Sequence, residues 1–571
     1  MKKFIFAKFS LVGLTFALAL ACVSSAFAAA TIVVINNDGA NEGFNDPTPA
    51  VPVGGNPETT LGAQRLFAFR FAADIWGAEL DSNEIIYVVA AFNPLAPNVL
   101  GSAGAWDVFS DFPAVGLYPG PEFAQTWYSS ALADKRAGID QDNTAPDINA
   151  QFSSNFNFYL GVDNNHGPLN DLVAVLLHEL AHGLGFQNFV NEATGRNLGN
   201  FFDGPRFYPV QTDVYSHHTL DITNNLLWSD MTDAQRQASA VRFGSVVWDG
   251  ASVTAALPGV LSLGSPEVEV LSPASVARQY QFGAAGFGPP FSSPGVTATV
   301  VAAVDPADAA GPATTDGCTA FTNAADIAGK IALVERGTCG FIVKVKNAQN
   351  AGALAVFIYN NAANAAAAAP GLGGVDPTIT IPSVGFSRAD GLAILNAGSP
   401  VTASLGLDPN VFAGADAAGR ARLYAITPVA LGSSISHYDN VARRNLLMEP
   451  AINPDLTHSV KPPEDLTLNL MRDIGWFPDA DLDGVANDED CEPNSNMGQT
   501  VAINGCDSGV ANTLFNNGCS FSDRIAQIAA GAKNHGKFVS GVTQLLNELK
   551  KNGTITTAQR NALHKCASKK P

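Results

Sequence analysis

The residues best suited to hydrolytic chemistry are His178-Glu179-Leu180-Ala181-His182, two histidines four apart with a carboxylate beside the first. On a helix, positions i and i+4 share a face, so both imidazoles can reach one ion. Neutral imidazole nitrogen suits tetrahedral Zn²⁺, which lowers the pKa of a bound water to about 7 and polarises a carbonyl. Glu179 is placed to take that water's proton and pass it to a leaving amine, so no covalent intermediate is needed. The spacing predicts zinc-dependent peptide hydrolysis with Glu179 as catalytic base. The plainer alternative is a buried helix with two hydrogen-bonded histidines.

The elements that must position these residues are legible in part. Asn170 or Asp171 can cap a helix over 171–184, and Gly183 and Gly185 can end it. The β-branched runs Ile32–Ile35 and Ile85–Val89 predict buried strands, and Leu61–Leu80 carries apolar residues at helical spacing between them. Residues 203–265 show little periodicity beyond a short helix at Thr232–Ala240. Near residue 275 the chain becomes rich in Ala, Gly and Val, and Asn360–Gly371 is of low complexity. After about 416 polar and aromatic variety returns, with a helix expected over Glu464–Trp476. An acidic stretch, 478–496, leads to helical periodicity within 519–567.

Two histidines leave a catalytic zinc one protein ligand short. Of the other seven, His166 precedes the helix, and His535 and His564 lie near the C-terminus. His217, His218, His437 and His458 remain as candidates, as does an acidic side chain. The motif resembles that of the metzincin metalloproteases, His-Glu-x-x-His-x-x-Gly-x-x-His, with Gly185 at the glycine. Asn188 stands at the final histidine position, and an amide is a poor zinc ligand. His437 in Ser433–Asp439, then Met448 in Asn445–Pro450, then a helix ending at Trp476, follow the order of the leishmanolysin-like branch. In that branch a long insertion separates the glycine from the third histidine. The resemblance spans about 60–200 and 430–476. It implies His437 as third ligand and Met448 as the methionine beneath the metal.

Residues 275–415 resemble the protease-associated (PA) domain, through Asp316–Phe321, Ile327–Phe341, Lys344–Ala353 and Ile381–Phe386. The resemblance implies an α/β insert that acts as a lid or docking module, with Cys318 and Cys339 clipping a loop to a strand end. Asp479–Asp490 follows the D-x-D-x-D-G calcium pattern, with Asp479, Asp481, Asp483 and Asp490 as oxygen ligands, and is similar to a thrombospondin type 3 repeat.

Residues 1–28 have a basic start, an apolar run and an Ala-Phe-Ala ending, which predicts a signal peptide cleaved after Ala28 and a secreted or periplasmic protein. Cys22 would leave with it, so no cysteine-based latency is expected, and lipidation at Cys22 is a minor alternative. The formal charge of −20 becomes −23 once Lys2, Lys3 and Lys8 leave, which disfavours nucleic acid and anionic lipid as partners. Six of the seven cysteines then remain, which reads as three disulfides, with three pairings open among Cys491, Cys506, Cys519 and Cys566. The expected class is α+β and multidomain. A metzincin-like unit (29–274 and 416–477) is interrupted by the PA domain (275–415). A calcium-binding linker (478–496) and a cysteine-clipped helical module (497–571) follow. The predicted function is a secreted zinc endopeptidase acting on protein or peptide substrates, without membrane insertion. The rival is a calcium-stabilised binding protein on a degenerate protease fold.

Overall fold

The computed structural model describes residues 29–570 except 116–117, 143–144, 478–484, 486, 488–489, 497 and 516. The signal-peptide expectation and Asp479, Asp481 and Asp483 therefore lie outside the described residues.

The N-terminal region is built on a four-stranded sheet. Strand β1 (Thr31–Asn36) pairs in parallel with β2 (Ile85–Asn93), with helix α1 (Leu61–Glu79) crossing between them. Thr60 caps α1 by accepting from the Ala63 amide. Strand β3 (Gly101–Ala105) runs antiparallel to β4 (Ile148–Ser153), giving the order β1-β2-β4-β3 and leaving β3 at an edge. Helix α2 (Leu172–Leu184) carries the histidine pair and is buried along its whole length. It packs on α1, where the Trp76 indole donates to the Leu177 carbonyl at 3.0 Å. An all-round apolar helix of this kind belongs inside a core rather than on a surface.

Within 203–265, where periodicity was weak, the chain forms short strands, 3₁₀ turns and two short helices, Asp233–Ser239 and Ala251–Ala256. An eight-stranded sheet follows. Strands Val296–Ala302, Ile331–Glu335, Ala355–Tyr359 and Ser383–Phe386 are parallel neighbours. Their residues alternate between two apolar clusters, Ile331, Leu333 and Phe357 on one face and Ala332, Val334 and Ile358 on the other. Both faces are covered, as a parallel sheet requires. The sheet also takes in Leu263–Ser272, ahead of the compositional change near 275, because that strand pairs antiparallel with Val401–Phe412. Leu263 lies opposite Phe412, so the excursion returns to its starting point.

The returning chain lies beside what it left. Trp248 donates its amide to Ala421, and Tyr424 donates to the His437 carbonyl, at 2.8 Å each. The closing helix is shorter than the expected Glu464–Trp476, covering Thr467–Asp473. The buried Asp465 carboxylate is instead occupied with the amides of Leu447 and Thr467, and Gly475 has φ +100°. Trp476 still closes the unit, donating its indole to the Leu184 carbonyl at the end of α2. This lattice of contacts holds one core from both halves of the chain.

The C-terminal module has its own core. Helices Phe521–Gly531, His535–Lys551 and Thr557–Ala567 pack on a hairpin of Thr500–Ile503 and Cys506–Ala511, a hairpin not expected from the sequence. Three disulfides form: Cys318–Cys339, Cys491–Cys519 and Cys506–Cys566. The chain is thus α+β and multidomain. No helix among the described residues is long and apolar enough to cross a membrane.

Candidate metal centre and active site

Asp171 caps α2, accepting from the amides of Val173 and Ala174 at 2.8 and 3.4 Å. Gly185 ends it at φ +123°, where a side chain would meet Ile474 Cδ1 at 2.8 Å. Between these stops His178 and His182 project together, with Nε2 atoms 3.2 Å apart. His437, 259 residues beyond His178, brings its Nε2 to 3.2 Å from His178 Nε2. These three are the one group of potential metal ligands that converges among the described residues.

Each imidazole is oriented by a backbone carbonyl on its far side. Nδ1 of His178 donates to Leu447 at 2.7 Å, and Nδ1 of His182 to Phe186 and of His437 to Ser433 at 2.8 Å each. With Nδ1 protonated, all three Nε2 lone pairs point at one another, which is repulsive unless a cation takes them. Burial pushes His178 down to about 4, and burial with the neighbouring rings pushes His182 to about 3 and His437 well below the ordinary value. The rings are neutral at physiological pH. Tetrahedral bonds of 2.0–2.1 Å put ligand atoms roughly 3.3 Å apart, close to the observed spacing. The donor set fits Zn²⁺.

Glu179 lies beside the first ligand in the same cleft, and its burial raises the carboxyl to about 8, partly offset by a hydrogen bond from the Ala103 backbone. The cleft, of about 710 Å³, is walled by β3 on one side and by 432–437 and 450–452 on the other. Met448 is fully buried, and its carbonyl accepts from the Tyr438 amide at 2.8 Å.

Asn188 has a role that sequence reasoning missed. Its Nδ2 donates to Ser436 Oγ at 2.9 Å and its backbone amide donates to the same oxygen at 3.1 Å, while Oδ1 accepts from Val190. The residue at the third-histidine position of the compact motif thus ties down the loop that carries His437. Gly101 was also missed, although the run of small residues Gly-Ser-Ala-Gly-Ala signals a strand that something approaches closely.

The remaining candidates are engaged elsewhere. His217 stacks on Phe123 at 3.9 Å and contacts Thr126, His218 packs on Trp248, and His458 meets Asp171 at 2.9 Å. Of the calcium candidates, Asp490 accepts from the Glu492 amide at 2.8 Å.

Residues 296–394 match the PA domain. The chain therefore holds a PA domain whose loop and strand end are joined by Cys318–Cys339. Over 70 residues the chain is 46% identical to Aminopeptidase YwaD of Bacillus subtilis, covering 12% of this chain and 15% of that protein. Over 98 residues it is 39% identical to Probable leucine aminopeptidase 2 of Aspergillus fumigatus, covering 17% and 19%. The chain spans less than a fifth of the length of these curated relatives, and neither stretch is longer than the PA segment. Among solved structures, a zinc aminopeptidase from Bacillus subtilis is 28% identical, covering 28% of this chain and 35% of that one, at a TM-score of 0.19. An aminopeptidase from Aneurinibacillus sp. strain AM-1 is 27% identical, covering 26% and 31%, at a TM-score of 0.19.

Proposed function

We propose that this chain is an exported zinc-dependent endopeptidase of metzincin type, with a leishmanolysin-like ligand order in which His178, His182 and His437 hold the ion and Glu179 is the general base. The observation that carries this reading is the meeting of three neutral Nε2 atoms, each oriented by a carbonyl behind it, beside a cleft carboxylate. Zinc bound there supplies Lewis acidity toward water and the scissile carbonyl. Glu179 takes the proton of the attacking water and hands it to the leaving nitrogen. β3 is the edge strand of its sheet and runs along the cleft, where an extended substrate adds as a further strand beside the Ala103 backbone that holds Glu179. A groove with such a wall suits cleavage within a chain. In this reading Met448, fully buried next to the Leu447 that accepts from His178, takes the place of the methionine beneath the metal.

Peptidase names among the relatives agree with a hydrolytic reading, although their likeness is confined to short stretches. Export rests on the leader-like residues 1–28, and calcium at Asp479, Asp481, Asp483 and Asp490 rests on their spacing. The test is metal analysis of the purified protein with casein cleavage before and after chelation. About one zinc per chain, cleavage lost on chelation and restored by zinc, and a Glu179→Gln protein that keeps zinc without cleaving, are expected. Stable protein without zinc or cleavage would favour the binding-protein reading instead.

A further inference from the structure

Within the cleft, beyond the metal ligands and Glu179, stands a second carboxylate that the proposed chemistry does not use. Glu192 is only 6% exposed, yet it lines the cleft. Its one side-chain hydrogen-bond partner among the described residues is Asn188, whose Nδ2 donates to Oε1 at 3.2 Å. The same amide holds Ser436 next to His437, so Glu192 is fixed relative to the metal ligands by a single bracket. No Lys or Arg is among the described residues that line the cleft. Arg236, close to the neighbouring Asp213, is engaged by Asp233 at 2.6 Å. Asp213 adds negative charge near Glu192 and is itself buried, with its oxygens on the amides of Phe189 and Ser216. A buried carboxylate held by its own backbone N–H and one neutral side-chain amide, with no cation beside it in the cleft, is poorly compensated, and a cation brought by a ligand would complete it.

We propose that Glu192 is the cation-recognising group of the cleft and that it receives a positive charge of the substrate close to the scissile bond. Two sources have this chemistry: a Lys or Arg side chain flanking the bond, and the free α-ammonium of a chain end. Asn188 aims the carboxylate and the metal ligands together, which makes it a positioning residue in this scheme. The proposal rests on the peptidase reading for the meaning of the cleft, but its charge preference is measurable without hydrolysis.

The experiment uses the full chain loaded with zinc and matched peptides carrying Lys, Arg, Gln or Met on either side of one scissile bond, each with a free and an acetylated N-terminus. The wild type should favour the cationic peptide on the order of a hundred-fold in kcat/KM, and Glu192→Gln should bring the rates together. Preference retained after acetylation identifies the side chain as the source; preference confined to free termini identifies the α-ammonium. Equal rates in the wild type, or an undiminished preference in Glu192→Gln, would overturn the proposal. The wild-type comparison needs no variant, so a misfolded Glu192→Gln protein still exposes the idea to refutation. Binding of the same peptides to the Glu179→Gln protein, read by fluorescence anisotropy, separates the two claims. Absent hydrolysis by the zinc-loaded wild type, with preferential binding of cationic peptides by Glu179→Gln that is lost when Glu192→Gln is added, sinks the peptidase reading and keeps Glu192. Indifference to charge in that assay sinks Glu192.

Discussion

Gly101→Ala tests how closely Glu179 must be held. Gly101 opens β3 with its backbone against the carboxylate: a methyl group there would lie 2.6 Å from Glu179 Oε1, 2.7 Å from Cγ and 2.9 Å from Cδ. Ordinary contact begins at 3.4 Å, so the side chain must shift by about 0.8 Å. Three atoms are involved, so rotation of the carboxylate tip alone does not relieve the clash. Gly101 does not have a left-handed φ, so alanine adds no backbone strain and the effect is local. Misplacing a catalytic group by about 1 Å costs roughly 10²-fold, or about 2.7 kcal/mol in the barrier. Overpacking separately costs about 1–3 kcal/mol of stability, which Tm reports. The expected result is a protein with full zinc content, a modest fall in Tm and a kcat/KM on a fluorogenic peptide down by about two orders of magnitude. A variant that keeps zinc and cleaves within threefold of wild type would refute the idea that β3 positions Glu179.

His437→Ala should lower zinc content and abolish cleavage while the PA domain and Cys318–Cys339 persist. His217→Ala, which removes a ring stacked on Phe123, should leave zinc content intact; equal zinc loss in both would show His437 to be no ligand. Lys135 bears on pH dependence: burial pulls it down to about 8, with Asp81 at 3.8 Å only partly opposing this. Its folded value lies below the unfolded one, so the unfolded chain binds the extra proton between about pH 8 and 10.5, and stability should rise across that window. Below pH 8 the penalty reaches about 3 kcal/mol, so Lys135→Met should raise stability at pH 7 and flatten the alkaline rise in urea titrations. A variant with an undiminished alkaline rise would place its origin elsewhere.

Much of the chemistry is local and therefore legible. The i,i+4 spacing of His178 and His182, the cap at Asp171 and the stop at Gly185 follow from helix geometry, which a linear sequence records. In the insert the change to an Ala-, Gly- and Val-rich composition is visible in the sequence, and Cys318 and Cys339 lie close enough along the chain for their pairing to follow from the resemblance. The order of His437, Met448 and Trp476 could be read from a resemblance, but their convergence could not be derived from spacing.

What the tertiary structure decided is the closure of a long excursion. Leu263 pairs with Phe412, so the loop's ends meet in one ladder, and His437 returns to His178 through contacts among 246–248, 421–424 and 435–439. Asn188, which breaks the compact ligand pattern, proves to be the bracket for the loop bearing His437, with Glu192 on its other hydrogen. The short closing helix and the hairpin at 500–511 were likewise hidden, since buried side chains such as Asp465 redirect backbone hydrogen bonds that propensity alone would assign to a helix. Sequence determines which residues can bind a metal, because ligand chemistry belongs to the side chain. Only the folded chain determines which of nine histidines meet, because that is a distance between residues far apart along it.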